Sequence, residues 1–174
     1  MFVYLSKTNN KQFMTVIGLR VKSNSKIYYC ILEKLPDETL NYVDISHINI
    51  PQSLNWPEAL NYVRNTIIDI ITLYDVKKAI IRICEFGTTF NDTIVERIYI
   101  EGVLQETIAS SNIENYLAGK ISKFAQLLGI QRSEFKKYAD AEIEYEIIPE
   151  DFNWQRQSLE TRETILTANA ALNL

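Results

Sequence analysis

A chain of 174 residues with 47% apolar and 23% charged residues and a formal net charge of -4 has the composition of one compact domain, which excludes a disordered tail. About 70% of the unfolded surface can be buried at this length, so folding needs neither disulfides nor structural zinc, and Cys30 and Cys84, each in an apolar run, read as reduced buried thiols. His47 is the only histidine and the five glycines form no GxGxxG or GxxxxGK[ST] loop, which excludes multi-histidine zinc sites and the common nucleotide-cofactor folds.

The start MFVYLSKTNNKQF lacks the charged-then-apolar order of a signal peptide, and no run approaches the roughly 20 apolar residues of a membrane span. A cytoplasmic protein with no membrane contact is expected. Residues 13 to 21 (FMTVIGLRV) and 25 to 35 (SKIYYCILEKL) are β-branched and aromatic runs split by Lys22-Ser23-Asn24, which predicts a hairpin. Tyr28 and Tyr29 point to opposite faces of the second strand, so one of them reaches the core. Residues 42 to 48 (YVDISHI) predict a third strand with His47 on the surface. From Trp56 to Tyr74 the period changes: Leu60, Val63, Ile67, Ile70, Ile71 and Tyr74 share one helical stripe, Pro57 sits in the first turn, and Asp75 ends the helix.

The run AIIRICEF at 79 to 86 predicts a central strand buried on both faces and ended by Gly87-Thr88-Thr89. A helix follows from Asp92 to Ala109, with Thr93 and Glu96 spaced as a capping box. Gly102 inside it costs about 1 kcal/mol, which points to close packing against the sheet or a partner helix. A fifth strand near 113 to 117, helices over Lys120 to Leu128 and Ser133 to Ala141, and a last helix opened by Ser158 and running to Ala171 complete the chain. The alternation in DAEIEYEII fits either a helix end or an acidic edge strand. Charge is uneven. Residues 1 to 32 hold Lys7, Lys11, Arg20, Lys22 and Lys26 and no acid, residues 138 to 174 carry a net -6, and the middle carries -3. A basic amino-terminal hairpin can face phosphates or solvent.

Three strands joined by hairpins, then helix, strand, helix and a terminal helix, predict an α/β fold in which a mixed sheet with a parallel part is packed by helices. Two stretches go further. Val16-Ile17-Gly18-Leu19-Arg20 is an apolar strand with a charge at its end, and residues 80 to 130 run as a strand ending in Glu85, Phe90-Asn91 entering a helix, Gly102 deep in that helix, and Gly119-Lys120 with Lys123 entering the next. This order and spacing resemble RuvC-type Holliday junction resolvases of the ribonuclease H-like superfamily over about two-thirds of the chain, and imply one ribonuclease H-like domain spanning 1 to 174.

In that family, carboxylates from the first strand, the fourth strand and the terminal helix hold two Mg²⁺ ions about 3.5–4 Å apart, which activate water and stabilise the leaving oxygen. By resemblance Glu85 matches the fourth-strand acid, and Glu160 and Glu163, three apart on one helical face, match the closing DxxD pattern. The first aspartate, written IGIDPG in the family, is Arg20 here. A guanidinium cannot lose its proton, and at about 4 Å it repels a divalent ion by about 2 kcal/mol even in bulk water, so metal binding is expected to fail. Arg20 is expected instead to pair with Glu85. Asp44 on the next strand is the alternative source of the missing ligand. The acids also have plain readings: Glu85 fits a solvent-facing strand end, and Glu160 and Glu163 with Arg156 and Arg162 fit a charged helix face.

The resemblance thus implies a non-catalytic RuvC-like module without metal or other cofactor, acting in DNA transactions. It would bind nucleic acid through Lys7, Lys11, Lys22 and Lys26, or assemble with a protein partner or as a homodimer through Ile98, Gly102, Val103 and Ile108. The alternatives are an active Mg²⁺-dependent endonuclease built on Glu85, Glu160 and Glu163, and a purely structural scaffold, which a pI near 5.1 favours.

Overall fold

The two β-rich runs at the amino terminus pair as expected. In the computed structural model β1 (Met14–Ser23) lies antiparallel to β2 (Lys26–Lys34), and β2 antiparallel to β3 (Leu40–Asn49). Helix α1 (Trp56–Leu73) carries the chain across to β4 (Lys78–Arg82), which is parallel to β1, and α2 (Asp92–Ala109) carries it to β5 (Asn115–Gly119), parallel to β4. The five-stranded sheet therefore has the order β3-β2-β1-β4-β5. Helices α3 (Ile121–Leu128), α4 (Arg132–Ala139) and α5 (Leu159–Ala171) follow. The structure describes residues 13–85, 91–149 and 151–174; Lys7 and Lys11, and Phe86, Gly87 and Phe90 of the expected strand and helix ends, lie outside them.

Period-2 alternation sorts the strand residues onto two cores. Ile17, Leu19, Ile31, Ile81 and Tyr29 pack under α1 and α2 with Val63, Ile67, Ile100 and Leu104. Val16, Leu32, Ile80 and Cys30 pack on the other face with Phe124, Phe135, Trp154, Ile165 and Leu166 of α3, α4, α5 and the segment before α5. Tyr29 is the tyrosine that reaches the core, while Tyr28 stacks on the exposed His47 at 5.6 Å between ring centroids. Among the described residues no helix is long and apolar enough to cross a membrane.

Helix α5 sets the geometry of everything that follows. It is buried almost throughout, from Arg162 to Ala171, and crosses β1 at Gly18. A Cβ at Gly18 would lie 2.5 Å from the Thr164 carbonyl oxygen and 2.5 Å from the Ala168 amide nitrogen, so only glycine lets the helix backbone rest on the strand. Arg162 then ties the preceding segment to the helix: its Nε donates to the Ala139 carbonyl at 2.6 Å and its Nη1 to the Gln157 carbonyl. It is buried, not part of a charged surface.

Three local expectations need correcting. The strand at 79 to 86 stops at Arg82, because the Cys84 N–H leaves the ladder to donate to both carboxylate oxygens of Glu101 (2.9 and 3.0 Å). The cap of α2 is Asn91, whose side chain accepts from the Ile94 N–H at 3.0 Å; Glu96 is drawn off to accept from Asn24. The segment DAEIEYEII is neither helix nor strand. Ala141 turns the chain at φ 60°, and Tyr145 is buried between Tyr138 and Trp154, with ring centroids 5.2 and 5.8 Å away.

Candidate functional site

The carboxyl ends of parallel strands are where an open α/β sheet presents its site, because the chain reverses there and leaves a crevice. Here β1 and β4 end side by side with Arg20 and Arg82 as register partners, so two guanidinium stems start about 5 Å apart on the face covered by α5. Like charges that close demand an acid between them. Glu163, one residue before the α5 backbone that rests on Gly18, supplies it. Its Oε2 is 2.8 Å from Arg20 Nη1 and 3.1 Å from Arg82 Nε.

All three side chains are buried: residue exposure is 9% for Arg20, 8% for Arg82 and 3% for Glu163. The contacts are ionic and poorly aligned, since Arg20 Nε and Nη1, Arg82 Nε and Glu163 Oε2 complete no hydrogen bond. Burial pushes the Glu163 carboxyl above the usual carboxylate range against the opposing pull of Arg20, Arg82 and Arg97, and the same burial holds Arg20 below its ordinary value. A buried charge group of this kind contributes little net stability when whole and is costly to break.

A second layer surrounds this triad. Arg82 Nη1 donates to the Ile83 carbonyl at 2.6 Å, and its Nη2 lies 3.9 Å from Glu85 Oε1. Glu85 also accepts from the Ile121 N–H at the start of α3 (3.0 Å) and from Arg132 at the start of α4 (3.2 Å). Burial opposes the Glu85 charge, but these partners outweigh it and hold the carboxyl below its ordinary range. On α2, Arg97 Nε donates to the buried Glu101 at 2.7 Å. Glu160 faces the half-exposed Lys22 at 3.7 Å.

The expected acids are thus gathered at one edge of the sheet, but not on one spot. Glu163 goes to Arg20 and Arg82, Glu85 to α3 and α4, and Glu160 to Lys22. The expected Arg20–Glu85 pair is replaced by Arg20–Glu163: Glu85, three residues past the end of β4, is held by the Ile121 N–H and Arg132, with Arg82 at 3.9 Å. Asp44 cannot substitute as a ligand. It pairs in register with Ile31 on the α1 side of the sheet, where it accepts from the Tyr29 and Tyr74 hydroxyls at 2.6 and 3.1 Å. The residues present do not fit two divalent cations: two fixed cations already occupy the carboxylate that would have to bind them, and among the described residues no three Asp, Glu, His or Cys side chains are grouped to hold an ion.

Arg82, Arg97 and Glu101 do not stand out in the sequence as site residues. A signal for Arg82 is nevertheless present, since a lone arginine inside AIIRICEF, a strand buried on both faces, must have an acid partner. On α2, Ile98 and Val103 are half-buried and Gly102 is exposed; a Cβ added at Gly102 would meet no atom within 4 Å, so this glycine does not mark close packing within the chain. Ile108 leaves the interface set, because it is buried under the sheet.

No family model and no curated protein matches the chain. Solved structures do. RuvC of Thermus thermophilus superposes with a TM-score of 0.65 at 10% identity, covering 92% of this chain and 94% of that one. The chain has the ribonuclease H-like fold of RuvC. The same RuvC in complex with a Holliday junction substrate gives a TM-score of 0.63 at 7% identity, with the same coverage. The yeast mitochondrial Holliday junction resolvase Ydc2 gives 0.60 at 13%, covering 92% of this chain and 78% of its own. The likeness spans nearly the whole length of this chain.

Proposed function

We propose that this chain is a non-catalytic RuvC-like module that binds nucleic acid in DNA transactions. One observation carries the reading: Arg20 and Arg82 converge on Glu163 where a two-metal nuclease needs an uncommitted carboxylate cluster. A nuclease of this class derives most of its transition-state stabilisation from its ions, so a site that repels them leaves binding as the simplest retained role. RuvC with the same fold is seen on a Holliday junction, which supports nucleic acid as the ligand class.

The test is incubation of purified protein with four-way, double-stranded and single-stranded DNA in Mg²⁺ or Mn²⁺, alongside gel-shift binding without metal. Binding without cleavage is expected. Metal-dependent cleavage abolished by Glu85→Ala would replace this reading with the active endonuclease.

Self-association is a second reading, favoured by the outer face of α2. Ile98, Gly102 and Val103, with the 53%-exposed Tyr99 and with Leu60 of α1, line an open apolar groove. A second copy seated there would make sedimentation concentration-dependent, and Gly102→Leu would change it without altering DNA affinity.

A further inference from the structure

Among the described residues, the amino-terminal hairpin is not where exposed, unpaired positive charge is concentrated. Of its described lysines, Lys22 is matched by Glu160 at 3.7 Å and Lys26 lies over the Tyr28 ring at 6.0 Å. By contrast the stretch from Lys120 to Lys137 carries five cations (Lys120, Lys123, Arg132, Lys136 and Lys137) against one acid, Glu134, a net +4 in a chain whose total is -4. All five cations are exposed. None of the four lysines makes an ion pair among the described residues, and Glu134 is occupied by the Tyr138 hydroxyl at 3.2 Å.

The fold makes this charge into one surface. Helices α3 and α4 are each eight residues long and joined by a turn in which Gly129 adopts φ 71°. Phe124, Ala125, Phe135 and Ala139 face inward, which leaves the lysines outward. Both helices begin at Glu85, which accepts from the Ile121 N–H and from Arg132. The basic surface is therefore continuous with the arginine-filled edge of β1 and β4.

Resting on the proposed role in nucleic-acid binding, we infer that the outer surface of α3 and α4 is the track for the phosphate backbone, with Lys120, Lys123, Lys136 and Lys137 as its contacts and Arg132 linking it to the sheet edge. The chemistry is sequence-independent. Flexible point charges suit spaced phosphates, and the four lysines, which pair with no acid among the described residues, give up no ion pair on binding; Arg132 keeps its pair with Glu85. Asp140, Glu142, Glu144 and Glu146 follow α4 in the chain and would repel a backbone straying past its end.

The experiment compares the full chain with a fourfold variant (Lys120→Gln, Lys123→Gln, Lys136→Gln, Lys137→Gln) and a twofold variant (Lys22→Gln, Lys26→Gln), using one duplex and one four-way junction across a salt series. Circular dichroism melts confirm that the variants fold; the substituted side chains of α3 and α4 are exposed. Four phosphate contacts make the log-log salt slope shallower by about 3 to 4 when removed, corresponding to roughly 10²-fold of the wild-type loss between 50 and 200 mM salt. The expected result is that the fourfold variant loses this slope and the twofold variant loses less. A fourfold variant that binds with the wild-type slope, or a twofold variant that takes the whole effect, overturns the track while leaving nucleic-acid binding in place. Wild-type protein that binds neither DNA at low salt overturns both.

Discussion

Two positively charged regions lie next to each other in this molecule and obey opposite rules. At the carboxyl edge of the sheet, Arg20 and Arg82 are buried against one carboxylate, and the charge is consumed internally. On α3 and α4 the lysines stand in water with no acid partner among the described residues, and the charge is available to a ligand. Where a charge is placed therefore matters more than how many there are: burial turns arginine into a structural part, and exposure leaves lysine as a contact.

The buried region is most vulnerable at Glu163. Glu163→Gln leaves two guanidinium groups buried without compensation and is expected to destabilise the fold by about 3–5 kcal/mol in denaturant titration. The triple replacement Arg20→Met, Arg82→Met, Glu163→Leu removes every member of the triad and is expected to restore most of that loss, since apolar substitutes of similar volume need no counter-charge. A triple variant as unstable as the single one would mean that the ion cluster holds the fold by itself.

Gly18→Ala comes next. The added methyl meets α5 backbone atoms at 2.5 Å, and the helix must lift away from β1. A loss of about 1–3 kcal/mol is expected in the same titration, because the contact is with backbone and cannot be relieved by a rotamer change.

Glu85, which touches both regions, separates them through pH. Its folded-state carboxyl is held below the ordinary range, so its contribution is fully present above that range and is lost as pH falls through it towards the lower folded value. Wild type should therefore exceed Glu85→Gln in thermal stability at neutral pH, with the difference shrinking on acidification. A difference that grows towards acid pH would reverse the assigned sign. The smallest effect is expected in the exposed region: Lys136→Gln should change stability by no more than about 0.5 kcal/mol, because the side chain is exposed and unpaired.

Much of the fold is legible in the sequence because each element announces its period. The hairpin expected around Lys22-Ser23-Asn24 forms with its turn at Asn24-Ser25, the stripe from Leu60 to Tyr74 is helical through Leu73, and the mixed sheet with a parallel part has the order β3-β2-β1-β4-β5. The site is legible only in part. Arg20 stands out because it replaces an expected aspartate, but its partner depends on the β1–β4 register and on how closely Gly18 lets α5 approach, neither of which is written locally. Arg82 is masked inside an apolar run, although it shares Glu163 with Arg20. The basic surface is hidden by averaging: a net +4 from Lys120 to Lys137 vanishes into a middle segment of net -3.

If guanidinium groups fill the place that metal ions take in a two-metal nuclease, the sheet edge has no room for a divalent cation. Mn²⁺ titration of the wild-type protein, followed by the paramagnetic resonance of free Mn²⁺, measures this without reference to activity. Free Mn²⁺ is expected to rise as it does in buffer, with no saturable site. Stoichiometric uptake that Glu163→Gln or Glu85→Gln abolishes would contradict the assignment.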